Sequence, residues 1–171
     1  MYKIGDLVVY GNNGVCKIID IVMMKAVKKD VKQPFYVLAL LHQKCTIFAP
    51  VNSTKVFMRP IISKTEAERL IDLIPTLRVE AYHNRALHEL SEHYKASLST
   101  HDCADLIELT LSIYAKKQSA ELQKRKIGVV DEKFMKKAED LLFSELSAAL
   151  GISKDKVQEY IAERVNDKLE D

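Results

Sequence analysis

The chain has 171 residues, 47% hydrophobic and 29% charged, with five Gly, four Pro and a formal charge of +2. That length makes one domain or two small ones, and the composition is that of a folded, mostly helical soluble protein. No apolar run reaches the length of a membrane span, and Met1-Tyr2-Lys3-Ile4-Gly5-Asp6 is not a signal peptide, so no membrane association is expected.

Cys16, Cys45 and Cys103 are odd in number and show no paired metal spacing, which points to free thiols in a reducing, cytoplasmic compartment. The small net charge hides an asymmetry. Residues 1–60 hold nine Lys or Arg against three acids, whereas 61–171 hold seventeen against twenty-one. Inside that acidic part, residues 116–137 hold eight basic and three acidic residues. Two readings of this segment stand, a solvated helix end and loop, or a face that meets phosphate.

The opening stretch organises the first half. Leu7-Val8-Val9 and Val15 to Val22 are short, β-branched runs, and Asn13-Gly14 between them is a hairpin signal because both residues tolerate positive φ. Lys25 to Gln33 is polar and Lys-rich and reads as a loop. Phe35 to Leu41 and Cys45 to Ala49 form the next two strands around His42-Gln43-Lys44, with Pro50 ending the second. Lys55 to Met58 is a last short strand. Five short strands in some sixty residues predict a small, strongly bent Tudor/SH3-like barrel.

Everything after Arg59-Pro60-Ile61-Ile62 has helical period, so the expected architecture is α+β. A β domain over 1–62 precedes an all-helical domain of about five helices over 63–171. Ser63 with Glu66 is a capping-box start, and Pro75 closes that helix. Leu87, Leu90, Tyr94 and Leu98 mark a second helix from about Asn84 to Ser97, and Asp102 caps a third. The clearest stripe, Phe134, Ala138, Leu141, Leu142, Leu146 and Leu150, ends at Gly151 as C-cap. Ser153 caps a fifth helix whose polar end should fray.

Catalytic patterns are missing. His83, His88, His93 and His101 cluster, but His88 and His93 are five apart and no HExxH or CxxC accompanies them. Gly11-Asn12-Asn13-Gly14 is a turn and not a phosphate loop, and no GxSxG or Walker sequence occurs. The expectation is a protein that is not an enzyme and has no cofactor, metal or small-molecule substrate.

Several pieces in fixed order resemble the CarD/CdnL regulators of bacterial RNA polymerase, whose N-terminal module is shared with the transcription-repair coupling factor. They are Gly5-Asp6-Leu7-Val8-Val9-Tyr10 with Gly14-Val15, Tyr36-Val37-Leu38, Phe48-Ala49-Pro50-Val51 and Met58-Arg59-Pro60-Ile61-Ile62-Ser63. Tyr94-Lys95 and the Lys136-to-Leu146 helix extend the likeness over roughly 1–166. The resemblance implies a transcription regulator whose barrel pairs a strand with the β1 lobe of the polymerase β subunit. Its helical domain would meet promoter DNA at the bubble edge and modulate open-complex stability, which places the protein on the nucleoid through polymerase. The matching polymerase-contact residues are Tyr36, Leu38, Leu40, Thr46, Ile47, Phe48 and Pro50.

The second domain departs from that pattern. Family members carry a Trp wedge four residues before the tyrosine, with two arginines between. This chain has no Trp, Leu90 holds the position, and Glu92-His93 replaces the arginines. Leu90 is thus either a core residue on the Leu87–Leu98 stripe or the wedge itself. The family's Leu-Ser-x-Gly-Glu helix start is here Ile127-Gly128-Val129-Val130-Asp131, without the capping Ser. Lys116, Lys117, Lys124, Arg125, Lys126, Lys133, Lys136 and Lys137 remain the candidates for weak DNA contact without sequence specificity. The alternative function is a protein-interaction adaptor that uses both domains without DNA.

Overall fold

The computed structural model describes residues 1–170, Lys29 by its backbone alone; Asp171, at the end of the expected helical domain, lies outside the described residues. Five antiparallel strands are followed by five α-helices, an α+β architecture, and the chain divides into a unit over 1–61 and a unit over 62–171.

The strands are β1 (Leu7–Tyr10), β2 (Val15–Ala26), β3 (Lys29–Leu40), β4 (Thr46–Pro50) and β5 (Met58–Pro60), in the order β4-β3-β2-β1-β5. No ladder joins β4 to β5 among the described residues, so the strands form a sheet with two ends where the sequence predicts a closed barrel. Val8, Cys16, Ile18, Tyr36, Leu38 and Ala49 build its core. A bulge between Ile18 and Asp20 shifts the alternation of β2 by one residue, which turns Ile21 toward the same core.

Three local expectations are corrected. The first hairpin has a three-residue 3-10 turn, Gly11–Asn13, and positive φ falls on Gly11 (49°) and Gly14 (84°) instead of Asn13. A Cβ at Gly11 would stand 2.9 Å from Val56 Cγ1, so glycine is required there twice over. The Lys25-to-Gln33 loop is instead paired strand. Lys25 lies opposite Lys32, Ala26 opposite Lys29, and Val27-Lys28 makes the turn, so the far halves of β2 and β3 form a two-stranded ribbon. The last strand lies three residues later than expected, with Met58, Arg59 and Pro60 opposite Tyr10, Val9 and Val8.

The helices are α1 (Lys64–Leu73), α2 (Leu87–Ser99), α3 (Cys103–Leu122), α4 (Val129–Leu150) and α5 (Val157–Glu170). Ser63 Oγ accepts from the Glu66 N–H and Asp102 from the Ala104 N–H, both as the sequence predicts. Gly151 ends α4 in the left-handed region at φ 69°. One core joins the helices, with Ile71, Leu90, Tyr94, Ile113, Phe134, Leu146 and Val157 among its buried members. The buried Glu145 carboxylate accepts from the Ile62 N–H at 3.0 Å and so pins the entry to this unit. Ser153 does not cap α5, which opens through a 3-10 turn at Lys154–Lys156. The Arg164 guanidinium holds both oxygens of Asp72 on α1 at 2.6 and 3.0 Å, and the helix runs on to Glu170.

Candidate interaction surfaces

The two ends of the sheet differ in what their outer backbone offers. In an antiparallel strand the N–H and C=O of one residue point to the same side. Leu40 donates to the Cys45 carbonyl and Val51 donates to the Pro34 carbonyl, so Cys45, Ile47, Ala49 and Val51 turn their backbone toward β3. Thr46, Phe48 and Pro50 then face outward. The same parity explains how Pro34 sits inside β3: its absent N–H points past the end of β4 and costs β2 nothing.

On β5 the Ile61 N–H bonds the Leu7 carbonyl and the Gly11 N–H bonds the Phe57 carbonyl, which leaves Met58 and Pro60 facing outward. Both of these carbonyls are covered. The Tyr2 hydroxyl reaches Met58 O at 3.5 Å, and Arg59 Nη1 donates to Pro60 O at 3.0 Å. Pro60 itself has no N–H to give. The β5 edge thus offers one outward amide, that of Met58, beside two engaged carbonyls, while β4 presents two amides, those of Thr46 and Phe48, with the Thr46 carbonyl meeting the Cys45 thiol at 4.0 Å.

Side chains sort the sequence-predicted contacts. Phe48 is 51% exposed and Thr46 is exposed on the outer face of β4, with Pro50 half-buried at its end. Tyr36 and Leu38 are buried in the sheet core, and Leu40 and Ile47 pack on it. These four therefore do not stand on the exposed face with Thr46 and Phe48. β3 lies inside the sheet, and period-2 alternation sends its even-numbered side chains inward. The Tyr36 hydroxyl is occupied too, accepting from the Tyr2 N–H at 3.0 Å.

Between β4 and β5 lies a cleft of ≈ 460 Å³, lined by residues of Tyr2, Tyr10, Tyr36, Ala49–Val51 and Val56–Met58 among others. Burial raises the pKa of Tyr10 on its wall, with a smaller contribution from Cys16. Burial also pushes the Cys16 thiol up to about 11, whereas Cys45 is exposed.

In the helical unit the structure separates the basic candidates. Lys117, Lys124, Arg125, Lys126, Lys133, Lys136 and Lys137 are exposed. Lys133, Lys136 and Lys137 share one face of α4 by their spacing, and Lys124 to Lys126 occupy the connection at the C-terminal end of α3, where the helix dipole favours cations. Lys116 is corrected. Its side chain is only 15% exposed and its Nζ lies 2.9 Å from Asp131 Oδ1.

That oxygen also accepts from the Tyr94 hydroxyl at 2.7 Å, and Asp131 Oδ2 accepts from the Gly128 N–H at 3.2 Å. One buried carboxylate thus ties α2, α3 and α4 together and, from the third helical position, accepts from the backbone N–H at the N-cap of α4, the half of a capping box that does not need a Ser. Tyr94 is held above its ordinary pKa by burial first and by this bond second. Sequence reading missed the network. Its only sequence signals are a tyrosine on an apolar stripe and an acid three residues past a helix start.

Leu90 is likewise settled by position. It is 3% exposed within the helical core beside Tyr94 and Leu98, so it is not an exposed wedge. His93, which replaces an arginine of the resembled pattern, stacks on Tyr82 with ring centroids 3.6 Å apart.

Residues 2–62 match the family model of the CarD-like/TRCF RID domain, so the N-terminal unit is similar to CarD-like/TRCF RID modules. Modules of this family interact with the β subunit of RNA polymerase and are known as non-enzymatic. No curated protein matches the chain.

Proposed function

We propose that this protein is a transcription regulator that docks on the RNA polymerase β subunit by strand addition along β4 and modulates open-complex stability at promoters. The observation that supports docking is the contrast between the edges. β4 offers outward amides at Thr46 and Phe48, whereas β5 offers only that of Met58 and its outward carbonyls are engaged by Tyr2 and Arg59. In strand addition the backbone supplies most of the affinity and alternate side chains choose the partner. For DNA, the exposed Lys117, Lys124, Arg125, Lys126, Lys133, Lys136 and Lys137 support weak contact to phosphate without base reading.

A second reading, an adaptor that binds proteins through both units, gains from the engagement of Lys116 and the burial of Leu90, which remove one cation and the wedge from the DNA-contacting set. The test is capture of purified core polymerase by the full chain, with and without promoter DNA. The expected result is a stable complex with β as the crosslinked subunit, lost on Thr46→Pro, and a longer open-complex lifetime in the presence of the wild type. Polymerase capture without any change in open-complex lifetime would favour the adaptor.

A further inference from the structure

We infer that the cleft between the two ends of the sheet receives a bulky apolar side chain from the partner strand that pairs with β4, an anchor for the docking proposed above, on which this inference rests. The cleft occupies the seam that no ladder closes, with the end of β4 on one wall and Val56, Phe57 and Met58 on the other. A strand added along β4 enters this seam.

Residues that neighbour each other across a sheet face the same side. Tyr36 and Ala49 are opposite each other, both buried, and both line the cleft. The partner residue set beside Ala49 therefore projects into the cleft, while those beside Phe48 and Pro50 project away from it. The lining supplies the rings of Tyr2, Tyr10, Tyr36 and Phe57 with Val51, Val56 and Met58, has Asn52, Ser53 and Thr54 on its polar side and the N-terminal Met1 among its members, and includes no Asp, Glu, Lys, Arg or His side chain. A basic side chain entering there would leave water without meeting a carboxylate, which is costly. A leucine, isoleucine, methionine or phenylalanine would bury its surface against aromatic faces, the arrangement in which interface anchors concentrate binding energy.

The experiment uses the full chain and purified core RNA polymerase, with three variants checked first for unchanged melting temperature. Thr46→Pro tests the edge, Phe57→Ala removes a wall of the cleft, and Thr54→Trp places a ring over its exposed rim. Phe57→Ala and Thr54→Trp should each weaken binding by roughly tenfold or more. Loss of binding in Thr46→Pro with wild-type affinity in both cleft variants would overturn the anchor while leaving strand addition intact. Wild-type affinity in folded Thr46→Pro would overturn strand addition and the anchor with it. A photoactivatable benzophenone side chain at position 57 then reports the occupant. Crosslinking to an apolar residue of β supports the inference, and crosslinking only to charged residues, or not to β, overturns it.

Discussion

Lys124 adopts φ 55° just past the end of α3, where the Arg125 N–H bonds back to the Ala120 carbonyl at 2.8 Å. Helices commonly finish this way with glycine, because a Cβ in the left-handed region is costly. Lys124→Gly should therefore raise stability by about 1 kcal/mol in a denaturant titration, while removing one candidate phosphate contact. Leu90→Ala should cost about 2–5 kcal/mol, since a buried leucine loses its contacts and leaves a cavity. A melting temperature unchanged by this substitution would contradict the core position. Thiol chemistry gives a third readout at this scale. Cys45 should react with an aromatic disulfide reagent in the native state, whereas Cys16, buried and titrating near 11, should react only on unfolding. The helical stripe offers the core reading of Leu90 in the sequence but leaves the wedge open, and burial is what separates them. Nothing in the sequence made Lys116 legible as an internal cation, because its partner lies fifteen residues away on another helix and no local pattern joins them.

At the scale of elements, strand existence was easier to read than strand extent. The β2–β3 ribbon looked like a loop because a two-stranded ribbon outside the core shows no apolar alternation, and Lys25, Lys28 and Lys32 gave it the polarity of a connection. The burial of Tyr36 and Leu38 is hidden in the sequence for a related reason. The residues were placed in the right strand, but which face and which edge they occupy depends on sheet order, a tertiary property. Register now separates two substitutions that look alike in the sequence. Ile47→Pro removes an amide that faces β3 and should destabilise the sheet, whereas Thr46→Pro removes an outward amide at the first residue of β4 and should leave the fold intact. Melting curves of the two variants check this directly. A pH dependence belongs to α5. Hydrogen bonds from Arg164 hold Asp72 below the usual carboxylate range. A depressed folded pKa contributes stability above the unfolded pKa, and that contribution is lost as pH falls through the folded value. The stability difference between wild type and Arg164→Ala should thus be present at neutral pH and shrink in acid.

Each of the two units carries its own core, one built from Val8 to Ala49 and the other from Ala67 to Val157. A fragment over 1–62 should accordingly fold alone, with dispersed amide resonances, and should bind the polymerase β subunit if β4 is the docking edge. The division of labour across the chain can then be tested by charge reversal. The first unit is basic and the second acidic overall, so long-range attraction does not favour DNA at the helical unit, and contact there depends on the local excess at Lys124, Arg125 and Lys126 together with Lys133, Lys136 and Lys137. Phosphate contacts release counterions, and each one adds about 0.9 to the slope of log affinity against log salt on duplex DNA. Changing Lys124, Arg125 and Lys126 together to glutamate removes up to three such contacts. The triple variant should therefore lower that slope by up to about 2.7, by nearly equal amounts on unrelated sequences, and should shorten open-complex lifetime. Its affinity for core polymerase in the absence of DNA should match the wild type if docking is through β4, because the amides proposed for it lie in the other unit and none of the three side chains is buried. An unchanged salt slope with shortened open complexes would assign these residues to a protein contact, and an unchanged lifetime would remove them from regulation altogether.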